Sequence, residues 1–119
     1  MNLEPCPSSP NCVSTQADPT DPAHYIEPVP YQGEASAALA AIEDAVTSNG
    51  GSVKAVRDTG LDALFVTGLL KFKDDVTFEV DDDAKLIHFR SASRVGHSDL
   101  GANRKRMESL LPKILARLG

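Results

Sequence analysis

The segment RSASRVGHSDLGANRKR, residues 90–106, holds four arginines, three serines, one asparagine and one histidine within seventeen residues. Arginine presents its donors in a planar fork that suits carboxylate, phosphate or sulfate, and a helix N-terminus adds backbone donors for the same ligands. The residue types therefore point to an anion or partner site built from Arg90, Ser91, Ser93, Arg94, His97, Asp99, Asn103 and Arg104. A bracing role competes with it: Asp99 can cap its own helix, Arg104 can pair with Asp74 or Asp75, and Ser91 and Ser93 can satisfy buried backbone. His97, beside Asp99 and several hydroxyls, is the candidate general base. The adjacent Ser98 is badly placed to be its nucleophile and no GxSxG elbow precedes it, so no catalytic residue is assigned.

These side chains act together only if the chain gathers them, and hydrophobic periodicity says how. KLIHFRSAS alternates like a strand, with Ile87 and Phe89 opposing Leu86, His88 and Arg90. Beyond it, Leu100, Met107, Leu110, Leu111, Ile114, Leu115 and Leu118 recur at helical spacing, predicting a helix from about Asp99 that Pro112 kinks or splits. The quoted segment is then a strand end, a loop and the first turns of a helix. Gly96 and Gly101 permit close backbone approach there, and Ser98 or Asp99 caps the free amides.

Upstream, EASAALAAIEDAVTS sets Ala35, Ala38, Leu39, Ile42, Ala45 and Val46 at helical spacing before Asn49-Gly50-Gly51, predicting a helix over 34–48 with Glu34 in its first turn. From Ser52 the period becomes two. SVKAVRD, LDALFVTGLL, VTFEV and KLIHFRSAS are expected strands, divided by turns at Asp58-Thr59-Gly60, Lys73-Asp74-Asp75 and Asp81-Asp82-Asp83. Seven of the eight prolines lie in the first 30 residues, which makes that part an extended arm whose stretch 24–31 can add an edge strand. The expected fold is α+β, a two-layer β-α-β-β-β-β-α with an antiparallel sheet and both helices on one face. Residues 1–33 form the arm and 34–119 a single domain.

With 119 residues the chain suits one hydrophobic core. Its apolar runs fall far short of the roughly 18 residues a membrane helix needs, so no membrane span is expected. The start MNLEPCPSSPNC has neither the basic beginning nor the apolar centre of a secretory signal, which reads as cytoplasmic. A removed leader would make it a protein of the cell envelope or periplasm. Residues 1–84 carry 4 Lys/Arg against 15 Asp/Glu, and residues 85–119 carry 8 against 2. Packing the basic third on the acidic remainder lowers self-repulsion. Nucleic acid is not an expected partner, because the net charge of -5 repels a polyanion and the basic segment has no interleaved aromatics beyond Phe89.

A disulfide between Cys6 and Cys12 would close a small loop worth about 2 kcal/mol on the chain-entropy model, and a reduced pair fits the chain equally well. Their spacing is neither CxxC nor half a zinc ribbon; His24 could complete a Cys2His set, but the ordinary reading is a strand-edge histidine. Asp81-Asp82-Asp83 lacks the glycine and distal glutamate of a calcium loop and reads as a solvated turn. No metal and no cofactor is expected. His88 is expected to pair across strands with Glu79.

CPSSPNCVST, KFKDDVTF and FRSASRVGHSDLGANRKR resemble three signatures of the domain of unknown function 1499 family, small proteins of bacteria and plastids. The matching positions are Cys6, Pro7, Pro10, Asn11 and Cys12 in the first, Asp74 and Asp75 in the second, and Arg90, Ser91, Ser93, Arg94, Gly96, Ser98, Asp99, Gly101, Asn103 and Arg104 in the third. Val66-Thr67-Gly68 stands where the family pattern has Phe-Thr-Ser. The resemblance implies no activity, substrate or catalytic residue. Some relatives resemble envelope or lumenal proteins, which keeps the envelope location open.

Three functional readings follow. The first is a noncatalytic binding module that takes a small anion or a protein partner at the last strand-to-helix junction. The second is an enzyme on a small anionic substrate using His97, and the third a scaffold that docks through the N-terminal arm. The first is preferred, because no motif commits to a reaction.

Overall fold

The computed structural model describes residues 3–68 and 71–118. These form β1 (Cys12–Ser14), β2 (Val29–Pro30), α1 (Ala35–Ser48), β3 (Ser52–Val56), β4 (Gly60–Val66), β5 (Lys73–Asp81), β6 (Leu86–Ser93) and α2 (Ala102–Leu118). All the strands join one antiparallel sheet in the order β1-β6-β5-β4-β3, with β2 also paired to β6. This is the expected α+β class.

Period-two alternation decides which sheet face is apolar. Leu61, Ala63 and Phe65 of β4, Val76, Phe78 and Val80 of β5, and Ile87 and Phe89 of β6 are all buried on it. Phe78 stands opposite Phe89 in register, with the ring centroids 6.3 Å apart. Both helices cover this core, α1 with Ala38, Ala41, Ile42, Ala45 and Val46, and α2 with Met107, Leu110 and Ile114. The alanines bring α1 close to the sheet. Where the chain leaves α1, Gly51 has no room for a side chain: a Cβ there would lie 2.7 Å from both Phe65 and Val46.

The arm is part of this sheet. β1, which the short run CVS gave no reason to expect, pairs with residues 90–92, while the expected edge strand over 24–31 contracts to β2. Val13, Ile26 and Tyr31 join the core. The Arg104 guanidinium donates to the Tyr25 carbonyl at 2.8 Å and the Pro22 carbonyl at 3.2 Å, tying the arm to α2.

At the opposite end from the Asp81–Lys85 turn the sequence reading needs correction. The expected turn at Lys73-Asp74-Asp75 is strand: Asp74 pairs with Ser93 and Asp75 with Ala92. Alternation therefore puts Asp74 on the same face as Val76, Phe78 and Val80, and it is only 1 % exposed. α2 begins at Ala102, not Asp99, and continues unbroken through Pro112. Proline removes one donor from the helix ladder, and Leu110 and Ile114, buried on either side of it, keep the helix seated. Leu100 is not in the apolar stripe; it sits before the helix at φ 55° and is 87 % exposed. β4 ends at Val66, and residues 69–70 of the expected longer strand lie outside the described residues. No helix among the described residues is long and apolar enough to cross a membrane.

Candidate functional site

The β6–α2 junction is organised around a buried polar network. Arg106 of α2 donates through Nη2 to Asp74 Oδ2 at 2.6 Å. Its Nη1 donates to Asn103 Oδ1 at 3.0 Å and Ser91 Oγ at 3.3 Å, and its guanidinium stacks 5.0 Å from the Phe65 ring centroid. Asn103 is fully buried and connects everything nearby. Its Oδ1 accepts from the Ser91 hydroxyl at 2.6 Å, and its Nδ2 donates to Asp99 Oδ2, Ser93 Oγ and the Asn11 carbonyl. Asn11 in turn donates to the Gly96 carbonyl at 2.8 Å, fastening the loop to the arm.

Asp99 caps α2 as expected, accepting the Gly101 amide at 2.8 Å and the Asn103 amide at 3.1 Å. Partial burial pushes its carboxyl up, but the Asn103 side chain and these amides outweigh that and hold it below its ordinary value. The positive end of α2 thus already carries an anion supplied by the chain.

The arginines expected to converge do not. Arg90 faces the other side of the sheet, where it donates to the Pro5 carbonyl at 3.3 Å, and its buried Nε has no partner among the described residues. Arg94 makes a two-point pair with Asp75 at 2.9 Å on the exposed surface. Arg104 serves the arm. His97 is exposed and makes no side-chain hydrogen bond among the described residues, so it is not joined to Asp99.

Other expected contacts also change partners. His88 stands opposite Glu79 in register, yet bonds Thr15 Oγ1 at 2.8 Å while Glu79 takes Arg57. Cys6 and Cys12 form a disulfide. His24 lies between the Ser9 carbonyl at 2.8 Å and Asp21 Oδ2 at 2.6 Å, and the bond to Ser9, with help from Asp21, raises its pKa. Asp82 of the acidic turn accepts from Tyr31 and Lys85; burial first and then Asp82 push the Tyr31 phenol up to about 12.

Beside the network lies a cavity of about 250 Å³ between Thr67 and Phe72 on one side and the β6–α2 loop on the other. Asp74 and Ser93 line it with Phe72, Val95, Leu100 and Ala102. Phe72, Val95 and Leu100 are respectively 47 %, 61 % and 87 % exposed, giving the mouth an apolar rim. Asp74 Oδ1, the oxygen that Arg106 leaves free, is buried and accepts no hydrogen bond from the described residues. Buried polar atoms are almost always satisfied, so this oxygen lacks a partner that the described residues do not supply. A larger cleft of about 560 Å³ runs along the arm, but its His24 and Asp21 are bonded to each other.

Of the expected residues, Ser91, Ser93, Asp99 and Asn103 meet in this network; Arg106 was not among them, and Asp74 was expected in a turn. A usable signal existed: continuing the β5 alternation backwards from Val76 reaches Asp74, and stepping back from Leu110 and Met107 at helical spacing reaches Arg106 and Asn103.

Residues 2–114 match the family model described as protein of unknown function, DUF1499, and no curated protein matches the chain.

Proposed function

The chain belongs to the DUF1499 family, and we propose that it is a noncatalytic binding module whose site is the Asp74 cavity at the β6–α2 junction. The carrying observation is Asp74: the residue lines a cavity with apolar sides, is 1 % exposed, and its Oδ1 has no donor among the described residues. Concave, mostly apolar space with a few fixed polar groups is what small-ligand sites share. The network behind it holds Asp74 and the loop in place before a ligand arrives, which lowers the ordering cost of binding. This reading keeps the junction expected from the sequence and changes its chemistry, since the arginines are engaged elsewhere. His97 is not among the residues lining the cavity, and no described residue makes a side-chain hydrogen bond that would orient it as a base.

The disulfide supports an oxidising compartment, and we place the protein in the cell envelope or periplasm instead of the cytoplasm. Thiol alkylation of the protein taken from its native cells, before and after reduction, tests this: two thiols reactive without reduction would return it to the cytoplasm.

Binding is tested by titrating the isotopically labelled chain with n-pentanol, a probe with a short apolar body. Saturable shifts of amides within 72–74 and 93–102 are expected, and Ala102→Leu, which fills the cavity, removes them. Absence of saturable shifts there in the wild-type chain overturns the proposal.

A further inference from the structure

We infer that the ligand's head is a protonated primary amine, donated to Asp74 Oδ1 and carried on a short alkyl body; this rests on the binding reading above. The polar inventory of the cavity is one-sided. An aspartate oxygen can only accept, and Asp74 Oδ1 is the unmatched group. Asp99, also in the lining, spends its oxygens on the Gly101 and Asn103 amides and the Asn103 side chain. Thr67 and Ser98 each take a backbone amide, from Phe72 at 3.0 Å and Leu100 at 3.2 Å, and Ser93 takes Asn103 Nδ2 at 2.9 Å. Their hydroxyls can still give one proton each, but no cation among the described residues lines the space.

Charge points the same way. Asp74 and Asp99 bring two carboxylates, and Arg106 answers one of them through its bond to Asp74 Oδ2. A carboxylate or phosphate entering the cavity would meet this surplus with no free guanidinium, because Arg94 is on Asp75 and Arg104 on the arm. A hydroxyl could satisfy Oδ1 with its single proton. An ammonium does so with a charge-assisted bond, cancels the surplus, and has two more donors for the Ser93 and Ser98 oxygens.

Size and walls set the rest of the molecule. A volume of about 250 Å³ equals roughly eight waters at about 30 Å³ each. That suits a short alkyl chain against Phe72, Val95, Leu100 and Ala102, not an extended aromatic cofactor.

The test compares n-pentylammonium, n-pentanol and pentanoate, matched in body and different in head, by amide shifts of the full labelled chain at neutral pH. Pentylammonium should bind at the 72–74 and 93–102 amides about tenfold more tightly than pentanol, and pentanoate should not bind there. Asp74→Asn should bring pentylammonium down to the level of pentanol. Because that substitution touches the Arg106 pair, Ala102→Leu serves as the second variant: it leaves the pair intact and should abolish binding of both probes. Pentanol equal to pentylammonium, or pentanoate above either, refutes the amine head while leaving the binding site standing. No saturable shift from any probe refutes both.

Discussion

Replacing Arg106 with methionine keeps an unbranched apolar stem and removes the charge, leaving Asp74 in the core without its partner. The pair is closely made and poorly solvated: Nη2 to Oδ2 is 2.6 Å, with side chains 14 % and 1 % exposed. Removing one member of a buried ion pair typically costs about 3–5 kcal/mol, most of it the penalty for the charge left behind. Arg106 also donates to Asn103 and Ser91 and stacks on Phe65, contacts that each add about 1 kcal/mol. The expected loss is therefore at least about 5 kcal/mol. With a urea slope of about 1–3 kcal/mol/M, the unfolding midpoint should fall by roughly 2 M. Circular dichroism in urea on the wild type, Arg106→Met, Asp74→Asn and the double variant completes a cycle. The double variant should lose at least about 1 kcal/mol less than the two single losses added together, since each single change strands a partner that the other removes. Arg94→Ala, which breaks only the exposed pair with Asp75, should leave the midpoint unchanged. Additivity within about 0.5 kcal/mol, or a loss below about 1 kcal/mol for Arg106→Met, would refute the account of the network.

Three further expectations follow from the fold. Reducing the Cys6–Cys12 bond, whose sequence separation is 6, should lower stability by about 2 kcal/mol, read as a midpoint shift between oxidised and reduced samples. His24 has a folded pKa above its ordinary 6.5, so its contribution is complete below that value and is lost as pH rises through the folded pKa; melting temperatures followed upward from about pH 6 should show this loss, and His24→Gln should erase it. Gly51→Ala should destabilise by about 1–3 kcal/mol, because its Cβ would press on Phe65 and Val46 at 2.7 Å; a thermal melt equal to wild type would show that the corner relaxes freely.

The elements that could be read from the chain were those with a long, consistent period. Helix α1 emerges from residues 34–48 almost as expected, because Ala38, Ile42 and Ala45 keep helical spacing up to a glycine stop. The β5–β6 hairpin was equally legible, since Val76, Phe78, Ile87 and Phe89 alternate cleanly. Elements whose formation depends on distant partners were not. β1 is three residues long and exists because β6 offers an edge to it. Asp74 looked like a turn residue because aspartate favours turns, yet Ser93 across the ladder and Arg106 above it hold it in a strand. Pro112 looked like a break, and buried side chains on both sides overrule it. The composition of residues 90–106 pointed to the junction where the buried network forms, but not to the arginine that enters it. Charge counted along a chain does not say which face each guanidinium takes: Arg90 leaves by the far side of the sheet, Arg94 by the surface and Arg104 toward the arm. Arg106, three residues beyond Asn103, is the arginine that reaches the core.

The most direct measurement is a crystal structure of the full chain soaked with n-pentylammonium, resolved well enough to place the Asp74 carboxylate and its donors. Density for the alkyl chain against Phe72 and Leu100, with its nitrogen bonded to Asp74 Oδ1 and Arg106 retained on Oδ2, is the predicted result. An Asp74 carboxylate turned out to solvent, or one with both oxygens taken by Arg106 and the amine bound elsewhere, would contradict it.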